Sequence, residues 1–379
     1  MLAPAVYLFI KKPEAKKLLK FLSAFLLFFC ISEVILLLYK VKNFNETPRL
    51  TEKVVLNKKQ KTNSDSFNIY HIIFDGYTNS ATLQKEFGFY NSIDSFLRDH
   101  HFYVAGKTKS NYNFTPYSLA STLQLCYLEL SVEQLERTYK NYLSGNQLYR
   151  DNVVFNFFKE SGYEVHSFSI LEDYEHLNKL GTFVPKTPAF SIRSKTLERI
   201  ILNPWLWHKL TAKKESLPES VKKSLRNYIQ YNQKALANVL SEAGNQPVFN
   251  FTHFLLPHEP YVYRRAALDS LIFTDVMDHR QGYIMQIQYV NGLIKNAVTE
   301  LQKNKKNIII IQGDHGFREY GFPSVLTQLE TFNAFYFPNQ DYHLLYDSIS
   351  LVNTYRIVLK QYFQQEVPLL KDQYFIPSR

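Results

Sequence analysis

The run Asn307-Ile-Ile-Ile-Ile-Gln312 constrains the fold more than any other stretch of the chain. Four consecutive isoleucines leave no polar face, so a strand built from them needs cover on both sides. That suits a central parallel strand sandwiched between helices. Four other short runs, β-branched or aromatic and bounded by polar residues, also read as strands: IYHIIF (69–74), YEVHSFSI (163–170), VFNFTHFLL (248–256) and FNAFYF (332–337). Between them lie helical candidates at 117–125, 132–142, 219–241, 282–303 and 346–364. The alternation predicts an α/β domain over residues 67–379, with a mostly parallel central sheet and ligands at the carboxyl ends of its strands. No repeat and no second domain is visible within it.

Ahead of that domain, residues 21–39, FLSAFLLFFCISEVILLLY, are apolar except for Ser23, Ser32 and Glu33. Nineteen residues rising about 1.5 Å each span about 28 Å, close to the hydrocarbon core of a bilayer. No small-residue cleavage site follows, which favours a retained transmembrane helix over a signal peptide. Residues 1–20 form a short apolar and basic segment. MLAPAVYLFI followed by KKPEAKK reads as the tail of an earlier membrane segment and a short loop, or as a re-entrant piece. Lys11, Lys12, Lys16, Lys17 and Lys20 precede the helix, and Lys40, Lys42, Arg49 and Lys53 follow it. The balance leans slightly towards an outside location for the domain. Residues 40–66 are polar and Lys-rich, the composition of a basic linker.

The chain carries 44 Lys and Arg against 34 Asp and Glu, a net charge of +10. That favours anionic partners such as phospholipid headgroups, phosphorylated glycans or nucleic acid. The lysines are scattered and no reader motif is present, so nucleic acid is not expected. Two cysteines, Cys30 and Cys126, exclude a disulfide framework and a multi-cysteine zinc site.

Four motifs sit at the predicted strand ends. IYHIIF runs into Asp75-Gly76, which is either a plain turn or a carboxylate set at a strand's edge for a cation. In SNYNFTPYSLAS (110–121), Pro116 suits the first position of a helix and makes Thr115 its N-cap. There the hydroxyl either satisfies one amide or meets an anion among free N–H donors. VFNFTHFLL leads into Pro257-His258-Glu259-Pro260, a shaped loop with His253 and His258 on either side of the strand end. In IIIIQGDHG (308–316) a buried strand breaks into Gly313-Asp314-His315-Gly316, where adjacent Asp and His can reach one divalent cation.

In this order the four motifs resemble the alkaline phosphatase and sulfatase superfamily. Within it, they are most similar to membrane-anchored lipoteichoic acid synthase-type and phosphoethanolamine transferase-type enzymes. The resemblance spans most of residues 67–360, and only the motif positions are specific. It implies a three-layer α/β/α domain and one divalent metal ion, Mn, Zn or Mg, held by Asp75, Thr115, Asp314 and His315, with Thr115 as nucleophile. The family's transferases carry a His-x4-His-x-Pro segment at the substrate pocket, and HFLLPHEP (253–260) places His253 and His258 there. Arg264 is either a phosphate ligand or, with Arg265, a solvated basic pair, and Asn111 is a further pocket candidate. YDSISLVNTYRIVL (346–359) resembles the segment after the last core strands of sulfatase-like enzymes.

Departures narrow the reading. Formylglycine sulfatases need Cys or Ser followed by x-Pro-x-Arg, and this chain has TPYSL at the nucleophile while Cys126 precedes YLEL. No second-metal motif is present. The several disulfides usual in lipid A-modifying transferases cannot form. The resemblance therefore implies a phosphotransferase or phosphodiesterase in the inner (cytoplasmic) membrane, its catalytic domain periplasmic or extracellular. Its substrates would be anionic phospholipid headgroups or envelope glycan phosphodiesters. A sulfatase-like hydrolase and a catalytically silent member of a polysaccharide assembly system are the alternatives.

Overall fold

The computed structural model describes residues 13–42, 47–57, 66–172, 219–241, 246–262, 279–318 and 325–376. The chain divides into two compact units, Met1–Thr47 and Pro48–Arg379. In the first, helix α1 (Pro13–Lys42) starts at a proline, which suits a first helical position. Lys16, Lys17 and Lys20, ahead of the apolar run, are therefore helical too. Its stretch Lys16–Leu36 is 21 residues long and apolar enough to cross a bilayer.

The second unit begins with β1 (Arg49–Leu50), followed by β2 (Asn68–Asp75), β3 (Tyr103–Val104), β4 (Leu128–Glu129), β5 (Glu164–Phe168), β6 (Val248–Pro257), β7 (Asn307–Gly313) and β8 (Asn333–Tyr336). Six of them form one sheet in the order β3-β8-β7-β2-β6-β5. β7, β2, β6 and β5 are mutually parallel, while β8 and β3 close one edge antiparallel. The expected mostly parallel sheet is present, and all five strands read from the sequence belong to it. Every residue of β2, β6 and β7 is buried. Each of Ile308 to Ile311, fully buried, contributes about 1.5–3 kcal/mol by leaving water.

Helices cover both faces. On one side, α4 (Glu219–Val239) and α5 (His279–Leu301) enclose Ile72, Phe74 and Phe254 with Leu236, Leu293 and Ile294. On the other, Phe251 meets Tyr149 of α3 (Tyr139–Arg150), and His71 meets Tyr355 of α6 (Thr354–Phe363). The buried helix α2 (Thr115–Gln124) packs against α3 on this side. Side chains alternate along a strand, so Asp75 shares the face of His71. Pairing Ile73 with His253 and Ile73 with Gln312 puts His253 and Asp314 on that face as well.

Three sequence expectations shift. The linker over 40–66 is docked in its middle: β1 pairs with β4, Thr51 bonds the Tyr127 carbonyl, Glu52 pairs with the buried Arg356, and Asn57 and Gln365 bond reciprocally. The helix expected at 132–142 is a single 3-10 turn (Glu133–Leu135), after which Thr138 caps α3 by accepting from the Asn141 amide. The helix expected from 346 starts at Thr354, because Asp372 pins Tyr346 and Ser350 in a turn.

Candidate active site at the strand ends

Asp75 is the last residue of β2, and Gly76 turns the chain with φ 74°. Asp314 and His315 follow β7 directly. Gly313 is required by close approach, since a Cβ there would lie 2.3 Å from Thr331 Oγ1 and 2.4 Å from the Tyr77 carbonyl oxygen. The neighbouring strand ends thus bring three side chains together. His315 Nε2 lies 3.2 Å from Asp75 Oδ1 and 3.4 Å from Asp314 Oδ2.

In Asp314 and His315 the other atom of the group is already engaged. Asp314 Oδ1 accepts from the Gly76 and His315 amides, both at 2.9 Å. His315 Nδ1 lies 2.7 Å from the Gly316 carbonyl oxygen. A carbonyl only accepts, so Nδ1 carries the proton and Nε2 presents a lone pair. Asp75 Oδ1, Asp314 Oδ2 and His315 Nε2 are all buried with no hydrogen-bond partner. Three lone-pair donors facing one another without a proton repel, and buried polar groups normally find partners. A divalent cation resolves the conflict. Tetrahedral donors at about 2.0–2.2 Å from a metal stand about 3.3 Å apart, close to the two separations here. Among the described residues this is the one group of three such ligands, and its oxygen-rich set with one imidazole accepts Mn, Zn or Mg.

Burial alone would raise the Asp75 carboxyl. Positive charge at His258 and at Arg318 outweighs it and holds the group well below the usual carboxylate range. His253, fully buried on β6, has Nε2 3.9 Å from Asp75 Oδ2 and no partner at that nitrogen, while Nδ1 sits 3.3 Å from Ser169 Oγ. Burial lowers its pKa against the opposing pull of Asp75 and Asp314. His258, just beyond β6 and half-buried, donates from Nδ1 to the Glu259 carbonyl at 3.0 Å.

Thr115 differs from the expectation in one respect. The N-cap is Phe114, whose carbonyl accepts from the Tyr117 and Ser118 amides, so Thr115 is the first residue inside the helix. Its hydroxyl is not spent on capping. One turn later Ser118 Oγ donates to the Asp314 carbonyl at 2.6 Å, tying the start of α2 to the loop that carries two of the ligands. Asn111 does not join the site. Its amide donates to the Gln373 carbonyl and accepts from the Val352 amide, which fixes the C-terminal segment instead. Arg264 lies outside the described residues. Sequence reasoning overlooked Ser118, Ser169 and Arg318. The first two carry no local signal; Arg318 follows Asp314 by four residues and was legible only as a basic neighbour of the motif.

No protein-family model and no curated protein sequence matches the chain. Solved structures do. The C-terminal periplasmic domain of EcEptC from Escherichia coli is similar with a TM-score of 0.46 and 12% identity, over 83% of this chain and 86% of that one. The soluble domain of lipooligosaccharide phosphoethanolamine transferase A from Neisseria meningitidis gives 0.45 and 13%, over 82% and 92%. The putative sulfatase yidJ from Bacteroides fragilis gives 0.46 and 11%, over 84% and 78%.

Proposed function

We propose that the chain is a membrane-anchored phosphotransferase or phosphodiesterase of the alkaline phosphatase and sulfatase superfamily. It would act on phospholipid-headgroup or envelope-glycan phosphodiesters from outside the cytoplasmic membrane. The reading is carried by three orphaned buried donors, Asp75 Oδ1, Asp314 Oδ2 and His315 Nε2, converging beside a helix start that bears an uncommitted hydroxyl. A silent binding protein would have no need to leave them unpaired.

Asp75, Asp314, His315 and the Thr115 hydroxyl would hold the cation. Once bound, it lowers the pKa of the hydroxyl and offsets negative charge on the phosphoryl oxygens. Thr115 Oγ attacks phosphorus at the N-terminus of α2, where the positive end of the helix dipole favours an anion. His253, with Nε2 buried and unpartnered, is placed to hold a phosphoryl oxygen. His258, with Nδ1 fixed by its own loop, is placed to protonate the leaving alcohol from Nε2. The resulting phosphothreonine passes the group to a second alcohol or to water.

The test is mass spectrometry of purified protein incubated with donor, together with metal analysis. An adduct on the peptide holding Thr115 is expected, absent in Thr115→Ala. Asp314→Asn should lose bound metal steeply. An adduct mapped elsewhere, or full metal occupancy in Asp314→Asn, would refute the reading.

A further inference from the structure

The loop that delivers Asp314 and His315 runs on to Arg318, whose guanidinium returns over the site. Its Nη1 donates to the Asn113 carbonyl at 2.8 Å, two residues before Thr115. Its Nη2 stands 3.9 Å from Asp75 Oδ1, and the side chain is 15% exposed. A charge-assisted hydrogen bond measures about 2.7–2.9 Å, so the contact with Asp75 is electrostatic without being a hydrogen bond. The same carboxylate oxygen faces His315 Nε2 and has no hydrogen-bond partner. The guanidinium is therefore anchored to the nucleophile's loop and held off the metal-ligand carboxylate. Arginine offers five N–H donors in a planar fork suited to two oxygens of a tetrahedral anion. One of these donors is engaged by Asn113.

We propose that Arg318 is the phosphoryl-binding residue of this site, donating to a non-bridging oxygen of the group that Thr115 attacks. The proposal rests on the phosphoryl-transfer reading above. In that step the bond from Thr115 Oγ to phosphorus forms and the bond from phosphorus to the leaving oxygen breaks. Thr115 releases its hydroxyl proton to water, the leaving alcohol takes one from His258, and His258 regains a proton from water, so the proton count balances. Arg318 neither gains nor loses a proton. It gathers charge on the spectator oxygens.

A bracing role for Arg318 makes the opposite prediction for metal. A positive charge close to Asp75 opposes a cation on the same carboxylate. Removing it should tighten cation binding at least about tenfold, the lower bound that Coulomb's law sets at the dielectric of water. Loss of a mere brace would loosen the loop that carries Asp314 and His315, and cation binding would weaken.

Full-length protein in detergent micelles serves for the test. Calorimetry measures Mn2+ affinity and then inorganic phosphate binding to the Mn-loaded protein, and bis(p-nitrophenyl) phosphate reports turnover. For Arg318→Gln the expected results are Mn2+ bound at least about tenfold tighter, phosphate bound at least about tenfold weaker, and kcat lowered about 10²–10³-fold. Arg318→Lys should recover part of the phosphate affinity, since it keeps the charge but loses the fork. Unchanged phosphate binding in Arg318→Gln overturns the assignment, as does parallel loss of Mn2+ and phosphate. Phosphate binding needs no turnover. A wild type that binds phosphate through Arg318 but cleaves no diester supports this assignment and refutes the functional reading alone.

Discussion

Gly145→Ala should separate stability from chemistry at the start of α2. Gly145 lies on α3 where it crosses the first turn of α2. A Cβ there would stand 2.5 Å from Pro116 Cβ and 3.1 Å from both the Pro116 carbonyl carbon and Tyr117 Cδ1. Relaxed carbon contacts lie at about 3.5–4.0 Å, so the two helices must part by about 1 Å. Overpacking of this kind costs about 1–3 kcal/mol, and the better helix propensity of alanine returns up to about 1 kcal/mol. The net loss is small. Thr115 precedes Pro116, however, and moves with it, and a reacting group misplaced by about 1 Å costs about 100-fold in rate. Asp75, Asp314 and His315 lie on other elements, so three of the four proposed ligands stay in place and most of the metal should remain. The assays are thermal unfolding, metal analysis and turnover of a chromogenic phosphodiester. A variant with lowered melting temperature, full metal and undiminished turnover would refute the placement of the nucleophile at this helix start.

Two further predictions concern the frame of the site. Glu52→Gln should cost about 1–2 kcal/mol, below the range for a fully buried pair, because Glu52 is 44% exposed while its partner Arg356 is 1% exposed. Denaturation of the variant checks this, and a fragment starting at Phe67 should be weakened further by losing β1 and the Asn57–Gln365 bonds. The second concerns acid. His71 is buried between the Tyr355 hydroxyl and Gln312 Oε1, each at 2.7 Å. Burial, opposed by the bond to Gln312, pushes its pKa down to about 3. A folded-state value below the unfolded one favours the neutral ring in the fold. That contribution is complete above about pH 6.5 and fades as pH falls towards 3, by at most about 1.4 kcal/mol per pH unit. Urea midpoints at pH 7 and pH 4 should therefore converge in His71→Phe relative to the wild type. An equal acid loss in the variant would assign the effect to other groups.

The sheet was legible because its strands announce themselves locally. Runs such as Ile308–Ile311 and Phe249–Leu256 are apolar enough to need burial on both faces, and they are buried. Boundaries were less legible wherever a distant residue decides them. Asp372 holds Ser350 from 22 positions away and delays α6, and Gln365 and Asn57 meet across 308 positions to draw an apparently featureless linker onto the domain. A polar, Lys-rich stretch carries no periodicity that would betray those partners. At the start of α2 the Thr-Pro pair signalled a helix, but the Phe114 carbonyl began it one residue earlier.

Residue types at strand ends show which side chains might meet a cation, but not what each atom is free to do. That depends on what holds the other atom of the same group. An imidazole after an aspartate can offer Nε2 to a cation only if Nδ1 keeps the proton, and here the Gly316 carbonyl accepts a hydrogen bond from Nδ1. A carboxylate after Gly313 has one oxygen left to offer a cation because two backbone amides occupy Asp314 Oδ1. Arg318 is bound through Nη1 to a carbonyl 205 positions earlier, so the rest of its fork is turned towards Asp75 and the Thr115 loop. Each of these commitments is made by backbone groups that carry no sequence identity, which is why the meeting of Asp75, Asp314 and His315 was readable from the chain and the state of their individual atoms was not.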